Sequence, residues 1–197
     1  MKRTILCLAL LVLASPSLTQ EAFKPDSIPF RAGQVLRYRA AEEIPAQLKA
    51  GIARHCRLPG DRTLKELPIV LVPQHPAFAI VPCEGGSGYV TKIFAFERSL
   101  GQAPVLIRLP VIDEPAGFIT HNEWAGWHEW DAERSVLIGT TVNDSYPQVQ
   151  YRHHYRNLWY GFNLFKVEVR FLKMPGSENS TPWQPLWDAQ DWPKAKR

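Results

Sequence analysis

Seventeen prolines punctuate this 197-residue chain. From Gly60 onward, prolines, glycines and acidic turns cut it into short β-rich runs spaced about ten residues apart. Proline brings no N–H to a β-ladder, so such runs become short strands with their prolines at edges and in loops. The runs that read as strands are Ile69 to Val72, Ala77 to Cys83, Tyr89 to Glu97, Val105 to Val111, Phe118 to Glu123, Val136 to Thr141, Gln150 to Arg156 and Asn163 to Leu172. Links this short favour antiparallel neighbours, because parallel ones need crossovers of roughly a dozen residues or more. The predicted fold class is mainly β, of α+β type. It is an antiparallel meander forming a sheet or partly open barrel, with one short N-terminal helix.

That helix is expected over Ile44 to Cys56, where Pro45 occupies the first turn and Ile44, Leu48 and Ile52 recur at i, i+4 and i+8. Before it, residues 21–43 read as an extended lead-in with one candidate strand, Gln34 to Arg39. Asp131 to Arg134 separates an aromatic-rich run from apolar Val136-Leu137-Ile138, as a hairpin loop should. Gly161, between Tyr160 and Phe162, marks a tight turn or bulge.

The N-terminus has the form of a secretory signal, with Met1-Lys2-Arg3, apolar Ile5 to Ala14, and small residues Ala14 to Ser17 where a peptidase can cut. Residues 1–20 are therefore set apart as a cleaved signal peptide, 44–190 as a single β-rich domain, and 191–197 as a basic tail. Cys7 has Leu6 before it and no small residue there, so it does not read as a lipidated cysteine. The apolar run is about half the length that a membrane-spanning helix needs, and no transmembrane segment is expected in the mature protein. Without Lys2 and Arg3 the chain carries 21 basic and 19 acidic residues. So small a surplus, with basic residues scattered, argues against a nucleic-acid partner. Export makes the expected location periplasmic, an oxidising space where the two remaining cysteines, Cys56 and Cys83, read as a disulfide.

The order of features resembles the C-terminal half of a bacterial envelope family catalogued as domain of unknown function 1176. The helix ending in Cys56 carries the resemblance, as do Ala79-Ile80-Val81-Pro82-Cys83 followed by Gly86 and Tyr89, and the hairpin from Trp130-Asp131 to Leu137. It continues through Tyr155, Gly161, Phe162 and Leu164 to Trp183-Gln184-Pro185-Leu186-Trp187, so that it spans about Ile44 to Ala189. A second cysteine pair usual in the family is absent here. Val142 to Pro147 stands where a Gly-Asp-Cys-Gly turn is expected. The family's first pair maps onto Cys56 and Cys83, and the resemblance implies a periplasmic β-rich domain with no assigned activity.

Catalytic signatures are missing. Gly85-Gly86-Ser87-Gly88 lacks the Lys-Ser/Thr of a phosphate loop and does not match a nucleophile elbow, so it reads as a turn between strands. His153 and His154 are adjacent on a strand and point to opposite faces, so they cannot share one ion. A metal site remains open to His121, His128 and one of that pair, although surface or core histidines are the simpler reading. No cofactor is expected.

The distinctive feature is aromatic. Trp130, Phe162 and Trp187 suit a β core. Trp124 and Trp127 flank Ala125-Gly126 in an expected loop, where large rigid side chains can stack on glycan rings or anchor a protein. Candidate partner-binding residues are Trp124, Trp127, His128, Trp159 and Tyr160. The function expected is non-enzymatic binding of an envelope protein or glycan. Alternatives are an inhibitor of a lytic enzyme such as lysozyme, by fold analogy, and a cell-wall hydrolase using groups near Glu123, His128 and His153.

Overall fold

The computed structural model describes residues 34–74, 76–85, 88–96, 104–113, 118–122, 126–143, 148–158, 161–172 and 180–189. The signal peptide, the lead-in through residue 33, Trp124, Trp159, Tyr160 and the basic tail lie outside the described residues.

Two five-stranded antiparallel sheets form the frame, and neither closes into a barrel. The first runs in sequence order through β1 (Leu36–Tyr38), β2 (Ile69–Val72), β3 (Ala77–Gly85), β4 (Gly88–Phe96) and β5 (Val105–Ile107). A hairpin of β6 (Leu109–Asp113) and β7 (Phe118–Asn122) follows. The second sheet contains β8 (Trp127–Asp131), β9 (Val136–Asn143), β10 (Val149–Leu158), β11 (Gly161–Phe171) and β12 (Gln184–Asp188), again in sequence order. Both sheets are meanders of antiparallel neighbours, although the link from β1 to β2 is long.

Alternation explains the layering. On β2 and β3, Ile69, Leu71, Ala77, Ala79, Val81 and Cys83 face one core, shared with Ile44, Leu48 and Ile52. Their neighbours Val72, Phe78 and Ile80 face the other way, into a second core with Leu137, Tyr151, Tyr155, Leu164 and Val167 of the second sheet. The first sheet is thus buried on both faces, and β3 is accordingly an unbroken run of buried residues from Ala77 to Cys83. Each large side chain buried this way contributes about 1.5 to 3 kcal/mol. Phe78 anchors the second core, meeting Trp130 edge-on at 5.3 Å and Phe162 at 5.0 Å between ring centres.

Several expectations need correction. The helix α1 spans Ala46–Ala53 rather than Ile44 to Cys56. Pro45 stands at its N-cap, and the chain turns out of the helix at Arg54. A second helix, α2 (Asp61–Glu66), was not expected, because six residues are too few to display a helical period. Val105 to Val111 is two strands, broken at Arg108, whose halves pair with β4 and β7 respectively. Trp127 lies on strand β8 and not in a loop. Pro82 sits inside β3, yet β2 pairs only as far as Ile80, so its missing N–H interrupts no ladder on that side. The tight turn or bulge expected at Gly161 is present as a hairpin end, with Gly161 at φ +126° paired to Leu158.

Cys56 and Cys83 form the expected disulfide, with α-carbons 5.4 Å apart. It ties the chain just after α1 to the end of β3. Nearby, Lys92 is 3% exposed and its ammonium donates to the His55 carbonyl at 2.9 Å, a cation placed where carbonyls gather beyond a helix C-terminus.

Candidate functional site

The junction of the sheets is built on Thr91 of β4. Its backbone N–H and its hydroxyl both reach the Gly126 carbonyl, at 3.1 and 3.0 Å, and the backbone N–H of His128 donates to its Oγ1 at 2.7 Å. Gly126 has φ +86°, and a β-carbon there would collide with the Thr140 carbonyl, so only glycine makes this entry into β8. Oγ1 also lies 2.6 Å from His128 Nδ1. A carbonyl can only accept, so the single hydroxyl proton goes to Gly126, and Nδ1 must carry the proton that satisfies the fourth contact.

Register extends this joint across the second sheet. His128 pairs with Gly139, and Gly139 with His153, which places both imidazoles on the inner face with a residue lacking a side chain between them. A β-carbon on Gly139 would stand 3.1 Å from His128 Nε2. Both histidines are buried, at 7% and 1% exposure. Burial is the main cause that lowers their pKa values, to about 3 for His128, with repulsion from His153 adding to it, and to about 4 for His153. The Ile112 N–H donates to His153 Nε2 at 3.3 Å, which puts the neutral ring's proton on Nδ1. The interior pair is neutral and tightly packed around its joint.

The opposite face of the same sheet is different in kind. Trp127, Thr140, Arg152 and Glu168 form one row across β8 to β11, and Val142, Gln150 and Arg170 form the next. Trp127 is 39% and Val142 46% exposed. Trp183, just before β12, has two guanidinium groups over its ring, Arg152 at 4.0 Å and Arg170 at 4.5 Å from the ring centre, and Arg156 lies 4.6 Å from the centre of the Phe165 ring. Glu168 accepts from Lys166 at 2.6 Å and from His154 at 2.8 Å, with Arg152 at 3.6 Å. Burial alone would raise the Glu168 carboxyl, but these hydrogen bonds and charges hold it below its ordinary value and keep it ionised. Burial lowers His154 in spite of that carboxylate.

Of the five candidate binding residues, Trp124, Trp159 and Tyr160 lie outside the described residues, and the other two separate. Trp127 faces outward, and His128, its neighbour on the strand, is buried beneath the sheet. His153 and His154 do lie on opposite faces. Glu129 is exposed on the outer side of β8, so it shares no site with His128 and His153, and Glu123 lies outside the described residues. Among the described residues, no group of three or more His, Cys, Asp or Glu side chains is placed to hold a metal ion. The side chain of His121 is not among those described. An open cleft of about 490 Å³ beside the disulfide is edged by the exposed Arg57–Glu84 ion pair at 2.9 Å.

Arg152, Arg156, Arg170 and Trp183 were not anticipated. The alternation Arg152-x-His154-x-Arg156 was a legible signal of one polar face. Trp183 joins it only through the packing of the β12 segment. No protein-family model, no curated protein and no solved structure matches the chain. The fold and this face must speak for themselves.

Proposed function

We propose that this protein is a non-enzymatic periplasmic binding module that docks a cell-envelope component on the outer face of its second sheet. The observation carrying this reading is an asymmetry. The first sheet is covered on both faces, whereas the second has its inner face in the core and an outer face on which Trp127, Glu129, Val142 and Arg156 are exposed. Tyr151, Tyr155, Trp130 and Phe162 of this sheet pack into the core, whereas Trp127 stays exposed on the outer face, and a large aromatic side chain kept in solvent is expected of a docking surface. The Cys56–Cys83 disulfide supports export. Among the described residues, no helix is long and apolar enough to cross a membrane. The resemblance to the domain of unknown function 1176 accords with a periplasmic β-rich module.

Immobilised mature protein incubated with envelope fractions tests the reading. Wild type should retain a saturable component that Trp127→Ala, alone and combined with Trp124→Ala, releases. Retention undiminished in both variants would refute this face as the docking surface.

A further inference from the structure

On β10 and β11 the outer face carries Arg152, Arg156, Lys166 and Arg170, with His154, around the single carboxylate of Glu168. That carboxylate is already engaged by Lys166, His154 and Arg152. Neither Arg156 nor Arg170 has a carboxylate within ion-pair distance among the described residues, and Arg170 instead directs its Nε to Gln150. Glu129 of β8 and Asp188 of β12, which pairs with Lys166, flank the strip. The positive surplus is thus confined to β10 and β11.

We propose that the occupant of this face is an acidic polysaccharide, a chain of sugars bearing carboxylates or phosphates at regular intervals. This inference rests on the binding role proposed above and names its ligand class. Three features carry it. The guanidinium carbons of Arg152 and Arg170 lie over the Trp183 ring at 4.0 and 4.5 Å from its centre, and that of Arg156 lies over the Phe165 ring at 4.6 Å. A guanidinium seated over an aromatic ring is held in place, so little side-chain entropy is lost when it turns N–H groups toward an oxyanion, and at Arg156 no carboxylate among the described residues competes for them. The exposed indole of Trp127, in the row of Arg152, offers a flat apolar surface to a sugar ring. Finally, β10 and β11, which carry the basic residues, are each paired on both sides, so the basic strip presents side chains rather than a free backbone ladder to which a peptide strand could add. Those features favour a stiff anionic glycan over an acidic protein segment.

Calorimetric titration of the mature protein distinguishes the possibilities, using oligogalacturonate, a neutral gluco-oligosaccharide of equal length and poly-glutamate. Oligogalacturonate should bind in preference to both, and binding should weaken steeply as salt rises toward about 1 M, where charges are screened within roughly 3 Å. Arg170→Gln and Arg156→Gln should each weaken it about tenfold or more. Arg170→Lys, which keeps charge but loses the guanidinium's fork of N–H donors, should fall between them and wild type. Both positions lie on the outer face, and an unchanged melting temperature identifies folded variants. Equal binding of the neutral oligosaccharide would overturn the role of charge, and tighter binding of poly-glutamate would replace the glycan with an acidic protein. If no probe binds while Trp127-dependent capture from envelope fractions persists, the acidic-polysaccharide proposal fails and the docking role stands. If that capture also fails, the docking role fails with it.

Discussion

Thr91 Oγ1 and His128 Nδ1 lie 2.6 Å apart across the junction of the two sheets, so one hydroxyl holds a histidine side chain, its backbone and the Gly126 carbonyl together. Thr91→Val keeps the shape and removes the oxygen, leaving a buried N–H donor at His128 and its ring proton without an acceptor. Stranding buried groups in this way costs about 2 to 3 kcal/mol. The melting temperature should fall by roughly 5 to 10 °C. Chemical denaturation of the variant beside wild type measures the loss, and an unchanged midpoint would remove Thr91 from the joint.

The same interior makes stability acid-sensitive. His128 and His153 are held neutral, with pKa values lowered to about 3 and about 4 from 6.5. Between pH 6.5 and about 4 the unfolded chain therefore takes up protons that the folded one refuses, and stability falls as pH falls. Two such groups give a slope approaching about 3 kcal/mol per pH unit in that window. Thermal unfolding followed from pH 8 to pH 4 should show a plateau above pH 7 and a steep decline below 6. A flat profile down to pH 5 would contradict the buried, neutral assignment.

Two glycines beside the joint should respond differently to alanine. Gly126 combines φ +86° with an overlap against the Thr140 carbonyl, which is backbone and cannot yield, so Gly126→Ala should cost more than about 3 kcal/mol or abolish folding. At Gly139 the obstacles are side chains, His128 Cδ2 and Nε2 at 3.1 Å and Tyr155 Cε2 at 3.4 Å. Overpacking there should cost about 1 to 3 kcal/mol, because the Thr91 contact keeps the imidazole from swinging aside. Urea unfolding of the two variants ranks them, and a reversed order would show that the histidine is the more rigid neighbour.

The disulfide closes a loop with a sequence separation of 27 residues. In the chain-entropy account such a crosslink stabilises by about 3 kcal/mol. Cys56→Ala together with Cys83→Ala should lower the unfolding free energy by that order while the β circular-dichroism signature persists, since both five-stranded ladders survive without it. Loss of the β signature in the double variant would mean that the crosslink is required for folding itself.

How much of this was legible depended on whether a feature is local. The β class, the antiparallel meander and the Cys56–Cys83 bond follow from run length, link length and cysteine count. Burial of β3 on both faces is legible in hindsight, in the unbroken apolar run from Ala77 to Val81. The strand break at Arg108 is not, because it reflects a change of sheet that no local pattern marks. Around Trp127, Gly126 and the crowding of aromatic residues imitate a loop, when Gly126 instead supplies the turn into β8. His128 was expected beside it on the surface, yet strand alternation sends neighbours to opposite faces. Trp183 reaches Arg152 and Arg170 only because β12 folds back along β11, a contact that depends on tertiary structure alone.

Alternation also separates the tryptophans of β8 by role. Trp127 is 39% exposed on the outer face, whereas Trp130, three residues on, packs edge-on against Phe78 in the core shared by the two sheets. Trp127→Ala should change the unfolding free energy by no more than about 0.5 kcal/mol. Trp130→Ala should cost about 3 kcal/mol, from lost apolar burial and the cavity left against Phe78 and its neighbours. Envelope capture should respond in the reverse order, abolished by the first substitution and preserved by the second at temperatures where that variant remains folded. Measured together, the pair separates a surface side chain that binds from a core side chain that holds the sheets. A Trp127→Ala variant that loses both stability and capture would indicate that the outer face supports the fold rather than a partner.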